Sequence, residues 1–269
     1  MGSGIAQVSA HSGFNTILYE LNDEVLLKAK SSIEKNLDSL VEKGRITIPE
    51  KERTLNRIQF TRDIQVCLAD VFIEAIIEKP EAKIALFNQL GELNHSDCIF
   101  ASNTSSLSIT GIAEKIQNSE RMIGMHFFNP APLMKLVEVV HTRYTHTAVT
   151  QTICELAQKM GKTAVVCMDS PGFIVNRVAR PYYIESLRLA EAGSAGFEQI
   201  DMLMESIGFK MGPFKLMDLI GNDVNYAVSC SVYDQLGQPE RLRPSEIQKQ
   251  RVEKGELGRK TGKGYYDYS

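Results

Sequence analysis

At 269 residues, 43% hydrophobic and 23% charged, the chain can bury one large core or two medium ones and has an ordinary soluble, globular composition. A net charge of −3 provides no basic footprint for nucleic acid. No apolar run approaches the roughly 18 to 20 residues that a bilayer-spanning helix needs. The five cysteines (67, 98, 154, 167 and 230) are odd in number and contain no Cys-x-x-Cys pair. They read as reduced thiols, against a disulfide framework or a zinc site. The N-terminus lacks a basic segment followed by a long apolar one, so no secretory leader is read.

In chain order, Met1-Gly2-Ser3-Gly4-Ile5-Ala6-Gln7 opens in a helix that ends near Gly13, and Thr16-Ile17-Leu18-Tyr19 follows as a strand closed by Glu20. A small-residue helix start, a short strand and an acid 18 positions after Gly2 match the latter part of a dinucleotide-binding βαβ unit. Taken alone the half-motif is weak, because glycines before an alanine-rich helix are common. Residues 23–43 form an amphipathic helix with Asp23 as its expected N-cap and Leu26, Ile33, Leu37, Leu40 and Val41 at helical spacing. Its lysines are either a solvated face or, in part, contacts for an anionic ligand. Residues 44–53, with Pro49, read as a connector.

Strands are expected at 58–61, 71–77, 98–102, 122–127, 136–141 and 163–168, with helices between several of them, notably 80–93 and 148–160. That alternation predicts an α/β domain whose sheet is largely parallel early in the chain, with ligands outside the carboxyl ends of its strands. Glu78 and Lys83, residues 103–106, and residues 126–129 all fall just after expected strands. His126 lies at the end of one apolar run and Glu138 within the next, joined by a loop containing Asn129, Pro130 and Pro132. Adjacent strands there would let a carboxylate orient an imidazole general base. Spacing alone leaves open a structural histidine beside a solvated acid.

Beyond Ser170-Pro171-Gly172 strand-like alternation gives way to helical runs at 173–192, 197–207, 223–235 and 245–254. The boundary is placed at about residue 170, giving a dinucleotide-binding domain over 1–170 and an all-helical domain over 171–269. The closing Gly258-Arg259-Lys260-Thr261-Gly262-Lys263-Gly264 is either a flexible tail or a loop that folds back on phosphate or ribose.

Six stretches, in this order, give the chain a likeness that covers almost its whole length. They are Met1 to Gln7; Phe100-Ala101-Ser102-Asn103-Thr104-Ser105-Ser106-Leu107; His126-Phe127-Phe128-Asn129-Pro130 with Met134 to Glu138; Asp169-Ser170-Pro171-Gly172-Phe173-Ile174-Val175-Asn176-Arg177; Met211-Gly212-Pro213-Phe214; and Gly258 to Gly264. The chain resembles the L-3-hydroxyacyl-CoA dehydrogenases, particularly the bacterial-type 3-hydroxybutyryl-CoA dehydrogenases. The resemblance implies an α/β Rossmann-like domain followed by a helical one. It also implies NAD-dependent, reversible oxidation of a short (S)-3-hydroxyacyl-CoA to the 3-ketoacyl-CoA, as in fatty-acid β-oxidation.

By motif, His126 becomes the catalytic acid/base, Glu138 its partner, and Ser105 and Asn176 the groups that position the substrate's C3 oxygen and acyl part. Gly2, Glu20, Glu78, Lys83, Ser105, Asn129 and Lys260 fall at cofactor-contact positions, Glu20 favouring NAD over NADP. Asn36 and Lys43 fall where the family meets CoA. A homodimer through the helical domain is implied, in a bacterial cytoplasm or a mitochondrial matrix. By the family's pattern roughly a dozen or more residues, bearing the first strand and the Gly-x-Gly turn, precede the position of Met1. The chain as printed is therefore expected to lack a central strand, bind NAD poorly and be unstable. The alternatives are a non-catalytic or truncation-disabled CoA-binding relative, and a dehydrogenase of a free hydroxy acid.

Overall fold

The structure, a computed structural model, describes residues 1–268; Ser269, the last residue of the expected helical domain, lies outside them. The chain divides into two compact units, Met1–Asp169 and one that begins at Ser170.

The first unit runs α1 (Gly2–His11), β1 (Thr16–Tyr19), α2 (Asp23–Glu42), α3 (Ile48–Asn56), β2 (Ile58–Thr61), β3 (Val71–Glu74), α4 (Pro80–Leu93), β4 (Ile99–Ser102), α5 (Ile109–Ala113), β5 (Met122–Phe127), β6 (Leu136–His141), α6 (Thr147–Lys159) and β7 (Thr163–Met168). It is the α/β architecture that the alternation predicts and the Rossmann-like domain that the resemblance implies. Its strands form two sheets: β1 with β2, and β3-β4-β5-β6-β7. Neighbours are parallel throughout except β5 and β6, which are antiparallel.

The pleat sorts the five-stranded sheet into two faces. Ile73, Ala101, Met125, Phe127, Val137 and Val139 join one apolar cluster with Ile5 and Val8 of α1 and Val149, Ile153 and Ala157 of α6. The opposite face carries Phe72 and Phe100 against Phe87 of α4, followed by Glu74, Ser102, His126 and Glu138 toward the carboxyl ends of the parallel strands. Helix α1 serves both sheets, because Ala6 and Ala10 pack with Leu18, Ile33, Leu37 and Ile58.

Local signals revise several sequence expectations. Residues 48–53 of the expected connector are helical, as the first part of α3. Pro49 sits in the first turn, where its missing N–H costs nothing, and Thr47 and Glu50 form a capping box. Helix α2 is capped by Asn22 rather than Asp23: its Oδ1 accepts from the amides of Glu24 at 2.8 Å and Val25 at 3.2 Å. The expected strand at 71–77 ends at Glu74, and that at 98–102 begins at Ile99.

The second unit contains α7 (Val175–Glu191), α8 (Phe197–Ser206), α9 (Pro213–Ile220), α10 (Asn222–Gln235) and α11 (Glu246–Glu253). Its core gathers Tyr183, Leu187, Ile200, Phe214, Met217 and Tyr265. Two buried carboxylates organise it. Asp201 accepts from the amides of Phe214 and Lys215 at 2.8 and 2.9 Å, satisfying orphan donors at the start of α9. Asp218 accepts from the amides of Tyr265 at 3.0 Å and Tyr266 at 3.1 Å. A Cβ at Gly264 would lie 2.0 Å from an Asp218 oxygen, so glycine there makes the approach possible. The C-terminal glycine-rich stretch is thus anchored rather than a flexible tail.

Candidate active site

The antiparallel register sets His126 of β5 directly opposite Glu138 of β6. Directly opposed residues point to the same face, with Cβ atoms about 5 Å apart. The ring Nδ1 therefore reaches Glu138 Oε2, at 2.7 Å, inside the sheet, where the residues are 6% and 1% exposed. A carboxylate only accepts, so Nδ1 carries the proton it donates, and that fixes the tautomer. The Phe128 ring packs beside the imidazole at 4.7 Å between centroids. Gly124 lets the strands and α5 close up: a Cβ there would meet Val140 at 2.8 Å and Ile109 at 3.1 Å.

A second polar cluster occupies the carboxyl ends of β3 and β4. Lys83 is buried at 1% exposure, and its ammonium donates to Glu74 Oε1 at 2.6 Å and pairs with Glu78 at 3.2 Å. The other Glu74 oxygen accepts from Ser102 Oγ at 2.6 Å. Glu78 accepts from the hydroxyl of Thr104, the amide of Ser105 at 3.3 Å and the hydroxyl of Ser106 at 3.0 Å. Burial pushes the Glu78 carboxyl up, but the Thr104 hydroxyl and the Lys83 charge outweigh it and hold it below the ordinary carboxylate value. Asn103 links this loop to the histidine strand, its Oδ1 accepting from the Phe127 amide at 2.8 Å.

The structure thus brings together His126 with Glu138, and Glu78 with Lys83 and Ser105. The other expected residues are placed separately. Gly2 opens α1, whose first turn carries no acidic side chain. Glu20 closes β1, with its carboxylate accepting from the Asn22 amide at 3.1 Å. Asn129 is exposed on the loop between β5 and β6, Asn36 donates to Gln7 Oε1 at 3.3 Å, and Lys43 is exposed at the end of α2. In the second unit Asn176 lies in the first turn of α7, and Lys260 pairs with Asp223 at 2.6 Å.

Sequence reasoning missed Glu74 and Lys162, and placed Asn103 only within a loop just after a strand. Glu74 had one visible signal, a charge closing an apolar run. Lys162 donates to the carbonyls of Ala131 at 2.5 Å and Met134 at 2.9 Å, clipping the loop that joins the histidine and glutamate strands. Such long-range partners leave no trace in spacing. Among the described residues no group of His, Cys, Asp or Glu could hold a metal ion, and no helix is long and apolar enough to cross a membrane.

Parallel strands, an acid just after β1 and an α1 first turn without acidic side chains are compatible with a dinucleotide-binding α/β domain and with NAD. The comparisons give the family. The family model for the 3-hydroxyacyl-CoA dehydrogenase NAD binding domain matches residues 1–170, and that for the C-terminal domain matches 172–268. The chain belongs to the 3-hydroxyacyl-CoA dehydrogenase family. It is 48% identical over its full length to the 3-hydroxyadipyl-CoA dehydrogenase of Escherichia coli, but spans only 57% of that protein. It is 39% identical to the mitochondrial hydroxyacyl-coenzyme A dehydrogenase of Sus scrofa, covering 100% of this chain and 88% of the relative. The crystal structure of (S)-3-hydroxybutyryl-CoA dehydrogenase from Ralstonia eutropha superposes with a TM-score of 0.95 at 35% identity, covering 100% of this chain and 95% of that one.

Proposed function

We propose that the chain catalyses NAD-dependent, reversible oxidation of a short (S)-3-hydroxyacyl-CoA to the 3-ketoacyl-CoA. The observation that carries this reading is the buried 2.7 Å bond between His126 and Glu138. Oxidising a secondary alcohol requires loss of the hydroxyl proton as hydride leaves the same carbon. His126 takes that proton at Nε2, and Glu138 holds the ring through Nδ1 and stabilises the imidazolium. When bound, NAD supplies the hydride acceptor.

Ser105 and Asn176 position the C3 oxygen and the acyl part as alcohol becomes carbonyl. Gly2, Glu20, Glu78, Asn129 and Lys260 hold the dinucleotide. Lys83, being buried, supports Glu78 rather than meeting ligand itself. Asn36 and Lys43 meet CoA, the latter as a point charge for phosphate.

The helical unit pairs two copies. Support comes from the apolar side chains it leaves exposed, Val178 at 72% and Met202, Leu203 and Ile207 at 62–66%. The relatives' names favour short acyl chains, 3-hydroxybutyryl in one and 3-hydroxyadipyl in another.

The test is NADH formation with (S)-3-hydroxybutyryl-CoA against free 3-hydroxybutyrate. Turnover of the thioester alone is expected. Turnover of the free acid at equal efficiency points instead to a hydroxy-acid dehydrogenase, and turnover of neither to a non-catalytic or truncation-disabled relative.

A further inference from the structure

Lys162 is the buried cation of the first unit that has no counter-ion. It is 9% exposed, and its ammonium donates to the carbonyls of Ala131 at 2.5 Å and Met134 at 2.9 Å. Among the described residues no carboxylate pairs with it, and burial alone pushes its pKa down. A methionine side chain of similar length would fill the same space without the cost of burying a charge. What the ammonium adds is therefore at the two carbonyls it joins.

Local structure aims the side chain. Helix α6 ends in a Schellman turn: Gly161 takes φ +70°, its amide donates to Gln158, and the Lys162 amide donates to Ala157. The next amide, that of Thr163, donates to Lys135 at 2.8 Å and opens the ladder between β6 and β7. Lys162 is fixed between a helix end and a strand start, beside the loop it holds.

That loop, residues 128–135, joins the strand of His126 to the strand of Glu138. It bends tightly, with the Pro130 carbonyl accepting from the amides of Leu133 and Met134, both at 3.0 Å. The side chains of Leu133 and Met134 are 65% and 42% exposed, so packing does little to hold that arm. The other arm is seated in the core, where Ala131 is 2% exposed. A Cβ at Gly4 would meet Pro132 Cδ at 3.1 Å and Ala131 Cβ at 3.4 Å, so this arm rests on the first turn of α1. Asn129 stands exposed just before it.

We propose that Lys162 is a positioning residue for the dinucleotide. By joining the Ala131 and Met134 carbonyls it holds the loop against α1 in the shape that presents Asn129 to the cofactor. It touches neither cofactor nor substrate. The proposal rests on the reading of Asn129 and α1 as the cofactor side, and its effect falls on NAD rather than on the thioester, because Asn36 and Lys43, assigned to CoA, stand on α2.

Two variants test it. Lys162→Met keeps the length of the stem but leaves both carbonyls without this donor, whereas Lys162→Arg keeps a cation with N–H groups for both. Calorimetric titration should show NAD affinity falling about tenfold in the methionine variant, the worth of roughly one charge-assisted hydrogen bond, and recovering to within about threefold in the arginine variant. Affinity for (S)-3-hydroxybutyryl-CoA should change by less than about twofold in either. Without ligand, hydrogen exchange in the methionine variant should speed at the Leu133 and Met134 amides while α6 and β7 stay protected. Unchanged NAD affinity, equal losses for NAD and thioester, or an arginine variant no better than the methionine one overturns the proposal. So does exchange that is unchanged in the loop or faster throughout the unit. If the unaltered chain binds NAD but turns over no thioester, the proposed function fails and the titrations still decide the role of Lys162; if it binds no NAD, the proposal falls with the cofactor reading.

Discussion

At the scale of single residues, burial decides what each charge can do. Lys83 and Glu74 are buried at 1% and 4% exposure, where a charge is tolerated because partners lie close, the nearer one 2.6 Å away. Removing Glu74 leaves Lys83 only its longer, 3.2 Å pair with Glu78, so Glu74→Ala should cost about 1–3 kcal/mol in urea unfolding. A loss below about 1 kcal/mol would mean that the lysine finds water instead.

Glu78 makes a prediction of a different kind. Its carboxyl is held below the ordinary value in the native state. As pH falls from neutral, the unfolded chain takes up that proton first, so stability is present above the ordinary carboxylate pKa and is lost as pH falls through the lower native one. Glu78→Gln should flatten that part of the acid limb of stability against pH; parallel limbs would show that the carboxylate contributes nothing.

Single residues were also the least legible in the sequence. Histidine and glutamate in successive apolar runs suggested a pair, but only the likeness to a family chose between a catalytic and a structural reading. Glu74, Asn103 and Lys162 act through partners 9 to 31 positions away.

At the scale of elements, apolar periodicity located most strands and the long helices, because the faces that the pleat and the helical turn bury must be apolar. It failed where a residue type has two meanings. Pro49 reads as a breaker, yet in a first turn it starts a helix; Pro213 does the same in α9. Strand pairing was legible only between β5 and β6, whose short connection brings them side by side. Periodicity alone said nothing of the division into two sheets; the expectation of a missing central strand came from the likeness to a family.

Close packing of those strands gives an element-level prediction. Gly124→Ala places a methyl 2.8 Å from Val140 and 3.1 Å from Ile109. It should destabilise by about 1–3 kcal/mol and lower activity by shifting β5 against β6. An unchanged denaturation midpoint with full activity would show slack at this crossing.

At the scale of the whole molecule, a parallel sheet collects polar side chains at the carboxyl ends of its strands. The architecture that buries the core therefore also builds the site. A net charge of −3 offers no basic footprint for nucleic acid, and composition points to no reaction. The measurement that bears most directly on the proposed chemistry compares His126→Gln with the unaltered chain, in kcat/KM for (S)-3-hydroxybutyryl-CoA and in NAD affinity by fluorescence titration. If the imidazole moves the substrate's proton, kcat/KM falls by about 10²–10⁴-fold while NAD affinity stays within about twofold. Retained turnover, or a loss explained by failure to bind NAD, would contradict it.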